Sequence, residues 1–106
     1  MAYIYQIGFD IRPDQMSELE IGASLERVLG YLRTLLPSEA GHITSRAMYS
    51  LDREDKVDLV FESVWETWGD LEAHRQSSMA EDKVLVEFEP HVLLEGLSVR
   101  VYEEVD

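Results

Sequence analysis

The chain of 106 residues carries 9 lysines and arginines against 22 aspartates and glutamates, which gives a formal net charge of −13. This charge is spread along the sequence, so nucleic acid and anionic membrane surfaces are disfavoured as partners, because each would meet a field of its own sign. The chain has no cysteine, which excludes disulfides, thiolate catalysis and cysteine-ligated metal centres.

A strand followed by a helix is predicted at the start of the chain. Residues 3–11 alternate between two faces, as a strand does. Ser17 and Glu20 have the spacing of a helix capping box, and Ser24 is a rival start for the same helix. Apolar residues then recur at helical spacing until Pro37 ends the helix.

Two further strands follow, joined by a short charged loop. Gly41 lets the chain turn into residues 42–51, where the alternation returns, and the loop 52–56 leads to a second alternating run over 57–65. Strands joined this closely are expected to pair antiparallel. The alternation places Ile43, Ser45, Ala47, Tyr49 and Leu51 on one side of the first of them. Of these, Ile43, Ala47 and Tyr49 are expected to lie under the helices.

The last part of the sequence predicts a broken helix and a fourth strand. Capping-box spacings at Thr67 and at Ser78 predict a short helix through His74 and a second helix over 81–88. The periodicity of 81–88 fits a strand equally well, and the cap favours the helix. Alternation over 97–102 predicts the final strand.

The element order β, α, β, β, broken α, β predicts an α+β domain over residues 1–106 with a ferredoxin-like fold, a four-stranded antiparallel sheet with helices on one face. The open face mixes valine, methionine and tyrosine with arginine and glutamate, which suits a self-complementary interface. We therefore expect a homodimer through the open sheet face. In that interface Arg46 or Arg100 would meet the partner's Glu62 or the partner's Asp58.

Two short runs carry a resemblance to a known family. Residues 64–66 (VWE) lead to residues 71–77 (LEAHRQS), and Pro37 to Gly41 form a turn that is followed by a strand. This pattern resembles the antibiotic-biosynthesis-monooxygenase-like (ABM-like) proteins of the dimeric α+β barrel superfamily. In that family a tryptophan ends the third strand, and a helix carries Ala-His shortly before a serine.

The resemblance implies a homodimer with a small apolar pocket between sheet and helices in each subunit. Some relatives oxidise aromatic polyketides with oxygen and no cofactor, and others degrade haem. The haem-degrading branch has an asparagine on the first strand, where this chain has Gln6 and Gly8, so haem is disfavoured as a substrate. The expected function is binding, and cofactor-independent oxygenation, of a small aromatic or apolar molecule.

Four residues make up the predicted site. His74 is the candidate acid/base group, because an imidazole titrates near neutral pH. Trp65 and Tyr49 would shape the pocket and Tyr5 would orient a substrate through its hydroxyl. The alternative for each of them is an ordinary packed side chain of the core with satisfied hydrogen bonds.

Several other chemistries are disfavoured. His42 and His91 lie beside turns without a ligand spacing to His74, so no metal site is predicted, and no glycine-rich loop precedes a helix to bind a nucleotide cofactor. Without a secretion signal or a membrane-spanning run, the cytoplasm is the expected location. The alternative function is a non-catalytic dimeric module that binds a metabolite or serves assembly.

Overall fold

The computed structural model describes residues 2–12, 17–52, 55–77, 81–88 and 92–105. Its elements follow the predicted order, with a 3₁₀ turn after the first helix and a π-helical turn before the last one. In chain order they are β1 (Tyr3–Ile11), α1 (Glu18–Thr34), the 3₁₀ turn (Leu36–Ser38), β2 (His42–Tyr49), β3 (Val57–Trp65), α2 (Trp68–Gln76), the π turn (Glu81–Leu85), α3 (Val86–Phe88) and β4 (Val92–Glu103).

The described strands form one antiparallel sheet in the order β2–β3–β1–β4. This is the predicted ferredoxin-like arrangement, which the structure confirms. β4 begins at Val92, earlier than the predicted start at residue 97. None of the helices within the described residues is long and apolar enough to cross a membrane.

The capping boxes set the starts of two helices. Ser17 caps α1, where its hydroxyl oxygen accepts from the backbone N–H of Glu20 at 3.2 Å. Thr67 caps α2 in the same way, accepting from the N–H of Asp70 at 3.1 Å. The rival start at Ser24 is wrong, because this residue lies buried inside α1.

The segment 81–88 is helical, as predicted, and the strand alternative is excluded. Its first part is a π turn, a rare geometry with wider hydrogen-bonded rings than an α-helix. The capping box predicted at Ser78 lies outside the described residues, as does His91.

The core lies between the sheet and the helices. On the central strand β1, Tyr5 pairs with Ser63, Ile7 with Phe61, and Phe9 with Leu59, so alternate residues of neighbouring strands reach the helices together. The buried apolar side chains are Tyr5, Ile7, Phe9, Ile11, Val28, Tyr31, Leu32, Leu36, Leu59, Phe61, Trp65, Leu71, Val84 and Phe88.

A β-bulge overturns one prediction for β2. His42 pairs with Trp65, but the next paired residue is Thr44 with Val64, so the strand carries one extra residue between them. The bulge shifts the alternation by one position. Ile43, expected in the core, is therefore 51% exposed, and His42 lies against Trp65 instead.

The other end of β2 is also more exposed than predicted. Tyr49 is 58% exposed, because it is the last residue of the edge strand β2. On the open face of the sheet, Glu62 pairs with Arg46 of the same chain at 2.6 Å and accepts from Gln6 at 2.9 Å. Arg46 thus has a carboxylate partner within its own chain.

Gly41 is required where the chain enters β2 beside α2. Its φ of +79° is a left-handed conformation, and a side chain there would overlap the carboxylate of Asp70. We expect Gly41→Ala to lower the free energy of unfolding by about 2 kcal/mol, from backbone strain and this overlap. Denaturant unfolding measures the change.

Gly22→Ala is the matched control, since nothing lies within 4 Å of the added methyl group in α1. It is expected to raise the free energy of unfolding by about 0.5 to 1 kcal/mol. Equal effects of the two substitutions would contradict the close approach of Gly41 to α2.

Candidate active site

The buried face of α2 places His74 beneath the sheet. The side chain is 5% exposed, and its ring stacks on Trp65 with centroids 4.7 Å apart and an interplanar angle of 27°. Tyr5 meets the same ring edge-on at 5.6 Å. The structure thus brings together three of the predicted site residues, one each from α2, β3 and β1.

The carboxylate of Glu39 orients His74. Glu39 directly follows the 3₁₀ turn, and its two carboxylate oxygens lie 3.1 and 3.2 Å from Nδ1 of His74. An ionised carboxylate only accepts hydrogen bonds, so Nδ1 carries the proton and donates it to Glu39. In the neutral ring, Nε2 is then the unprotonated nitrogen, which is able to accept a proton.

Trp65 is held as a fixed platform for the histidine ring. It is fully buried, and its indole N–H donates to the hydroxyl of Ser63 at 2.8 Å, two residues earlier on the same face of β3. A buried indole N–H needs such a partner. The position of the His74 ring is therefore fixed by stacking on one side and by the carboxylate at its edge.

His42 joins this cluster through the β-bulge. Its ring meets Trp65 edge-on with centroids 5.4 Å apart, and its Nε2 is buried without a partner among the described residues. Burial lowers the pKa of His42, and the electrostatic interaction with His74 lowers it further, while Glu39 and a hydrogen bond with the Thr44 backbone oppose the shift. The cluster therefore favours a neutral His42.

A small cavity of about 20 Å³ lies beside His74. Such a volume holds a single water molecule, whereas pockets for organic ligands measure roughly 300 to 1,000 Å³. Polar groups of its wall include Tyr31, Ser63 and His74, and apolar ones include Leu36 and Val84. As it stands, the cavity is therefore too small for an organic ligand.

Tyr49, the fourth predicted site residue, lies on a different surface. It lines a groove of about 490 Å³ between α1 and the ends of β2 and β3. Val57, in the same groove, and Trp65 lie at opposite ends of β3, eight residues or about 26 Å apart. A small ligand in the groove would not reach His74.

Glu39 and His42 were not predicted as site residues from the sequence. Glu39 lies 35 residues from His74, and only the turn between Pro37 and Gly41 hinted that this part of the chain returns to the helices. His42 was placed at the start of the strand beside a turn, and its contact with Trp65 was not predicted, because a bulge leaves no mark in an alternation pattern. Within the described residues, no group of three histidine or acidic side chains could hold a metal ion.

Comparisons with known proteins bear on the fold. No family model matches the sequence, and neither does any curated protein. Among solved structures, a Bacillus cereus protein provisionally assigned as an antibiotic biosynthesis monooxygenase has a TM-score of 0.67 at 16% identity, covering 97% of this chain and 90% of that one. SnoaB, a cofactor-independent oxygenase from Streptomyces nogalater, has a TM-score of 0.63 at 7% identity, covering 100% and 96%.

A third similar structure is a dimeric protein of ferredoxin-like fold from Bacteroides fragilis, with a TM-score of 0.69 at 10% identity over 97% of this chain and 96% of that one. At such low identities the likeness shows a shared fold. This chain has the fold of the ABM-like proteins, and the fold implied by the sequence resemblance is confirmed.

The lowered pKa of His42 predicts that acid destabilises the protein. The unfolded chain, in which His42 has its ordinary pKa of 6.5, binds more protons than the folded one just below that pH. The stability that His42 contributes is therefore complete above pH 6.5 and is lost as the pH falls toward its lower folded-state pKa.

Unfolding free energies measured at about pH 7.5 and about pH 5.5 test this effect, with His42→Phe as the variant that keeps a ring against Trp65. Wild type should lose more stability than the variant. The same loss in both proteins, or an NMR titration midpoint for His42 above 6.5, would contradict the assignment.

Proposed function

We propose that the protein binds a small, flat, largely apolar molecule between its sheet and helices and acts on it through His74, as a cofactor-independent oxygenase of the ABM-like fold. The observation that carries this proposal is the contact of both Glu39 oxygens with Nδ1 of His74. The similar structure of SnoaB, a cofactor-independent oxygenase, supports this class of reaction.

The Glu39–His74 pair has the arrangement of a general base and its orienting group. When Nε2 accepts a proton, the resulting imidazolium is stabilised by the carboxylate at Nδ1. Removing a proton from a phenol or an acidic carbon leaves an electron-rich anion, the form of an organic substrate that reacts with dioxygen. The role of His74 is to generate that anion, with dioxygen as the oxidant.

Trp65 and Tyr5 position the reacting groups in this proposal. Trp65 holds the imidazole plane, and Tyr5 bounds the cavity beside it. A substrate ring reaches Nε2 when side chains over the cavity move outward. Among the side chains that line the cavity, Val84 lies on the π turn, a geometry found frequently at functional sites. Tyr49 has no contact with this ligand.

A second candidate is the non-catalytic dimeric module, and the cavity volume of about 20 Å³ favours it. In that case the Glu39–His74 pair is a satisfied polar contact that fixes the packing of α2 on the sheet. Turnover separates the two candidates, because only the first requires a basic nitrogen that a substrate can reach.

Quinols, aromatic polyketides and haem serve as probes for the first candidate, in a thermal-shift screen followed by oxygen uptake. We expect at least one aromatic compound to raise the melting temperature of wild type. With that compound, His74→Gln should lower kcat about 100-fold or more, because it removes the base. Glu39→Gln should also lower kcat, because it removes the charge that orients the His74 ring.

Gln76→Ala, an exposed change on the same helix, is the matched control and should leave kcat unchanged. If no compound binds wild type, or if His74→Gln turns over at the wild-type rate, the catalytic role is wrong and the non-catalytic module is the better description.

We also infer that the chain forms a homodimer through the open face of the sheet. This face has a concave region of about 210 Å³, lined by Ile4, Thr44, Ser45, Arg46, Glu62 and Val64. Its central charges are paired within the chain, so the surrounding apolar groups can be covered without leaving an unpaired Arg46 or Glu62. The dimeric Bacteroides fragilis protein of the same fold supports this assembly.

Val64→Asp tests the dimer, since it places a charge on the apolar part of the concave region. Sedimentation at micromolar concentration should show a dimer for wild type and a monomer for the variant. Leu19→Asp, at a position 87% exposed on α1, should remain dimeric. A monomeric wild type, or a dimeric Val64→Asp variant, would show that this face is not the interface.

A further inference from the structure

Tyr31 has a buried hydroxyl group in the core. It lies on α1, is 6% exposed, and its hydroxyl has no hydrogen-bond partner among the described residues. Buried hydroxyls without any partner are rare in native proteins, so each one needs an explanation such as a bound water. Nothing in the Glu39–His74 arrangement uses this hydroxyl directly.

Tyr31 lines the same small cavity as His74. Burial raises the pKa of Tyr31 to about 12, and the charges of Glu39 and Tyr5 contribute to the shift. Both residues also contact His74. The Glu39 carboxylate contacts its Nδ1, and the Tyr5 ring meets the imidazole ring edge-on. Tyr31, Ser63 and His74 all line the same cavity of about 20 Å³.

The three polar groups have complementary hydrogen-bonding needs. At neutral pH the Tyr31 hydroxyl is protonated and can donate. The Ser63 hydroxyl already accepts from the indole N–H of Trp65 and can donate its own proton. Nε2 of His74 carries a lone pair because Nδ1 donates to Glu39. Tyr5 and Glu62 also line this space. Two donors and one acceptor are therefore among the groups around a space of the size of one water molecule.

We propose that this cavity binds one ordered water molecule, which accepts hydrogen bonds from Tyr31 and Ser63 and donates one to Nε2 of His74. Tyr31 is a positioning residue for that oxygen. The water extends the chain of hydrogen bonds from Glu39 through His74 to α1, so three separate elements are tied together at one point. The site does not depend on the proposed reaction.

A crystal structure at high resolution tests the site directly. We expect one water oxygen within about 3 Å of the Tyr31 hydroxyl and of Nε2 of His74. In solution, a long-lived water should give a nuclear Overhauser effect to the His74 ring. In Tyr31→Phe this signal should be lost, whereas a merely structural tyrosine would leave it in place.

Stability gives a second test, because the two explanations of Tyr31 predict opposite signs. If its hydroxyl binds the water, Tyr31→Phe removes a hydrogen bond and the ratio of folded to unfolded protein should fall about fivefold. If the hydroxyl has no partner, the same change removes a penalty and the ratio should rise. Tyr3→Phe, outside the cavity, is the control and should change the ratio less than Tyr31→Phe.

A more stable Tyr31→Phe variant together with a crystal structure that lacks the water would overturn the proposal. An ordered water at His74 in a protein without turnover would support the site while removing the catalytic function. Turnover that depends on His74, in a protein without a water bound to Tyr31, would support the catalytic function and overturn the water site.

Discussion

The contact between Glu39 and His74 is the interaction on which the rest of the site depends. It joins the turn after α1 to the buried face of α2, and it selects which nitrogen of the imidazole is free. The Trp65 ring stacks on the His74 ring, and the close approach of Gly41 to Asp70 brings β2 alongside α2. The fold thus defines both the position and the protonation of one side chain.

The two ends of the sheet have different chemistry. At the end of the sheet that lies against His74, aromatic and polar side chains are packed around a cavity of about 20 Å³. At the other end, a groove of about 490 Å³ is lined mainly by apolar side chains such as Ile21, Leu25 and Tyr49. Space for a ligand and the group able to do chemistry are therefore separated along β3. An organic ligand at His74 would need more space than the cavity of about 20 Å³ offers.

Local patterns predicted the elements well, because each pattern reflects contacts between near neighbours. The capping residues Ser17 and Thr67 fixed the starts of α1 and α2, and strand alternation located the core faces of β1 and β3. The errors at Ile43 and the omission of Glu39 have another origin. A bulge depends on how two strands are paired, and a contact across 35 residues depends on the whole fold.

The protonation of the two ring nitrogens of His74 is the most direct test of this geometry, and nitrogen-15 NMR at neutral pH can measure it. The structure predicts a protonated Nδ1 that donates to Glu39 and an unprotonated Nε2. A protonated Nε2 together with an unprotonated Nδ1 would contradict this prediction. Nδ1 would then have no hydrogen to donate to Glu39, and Nε2 could not act as a base.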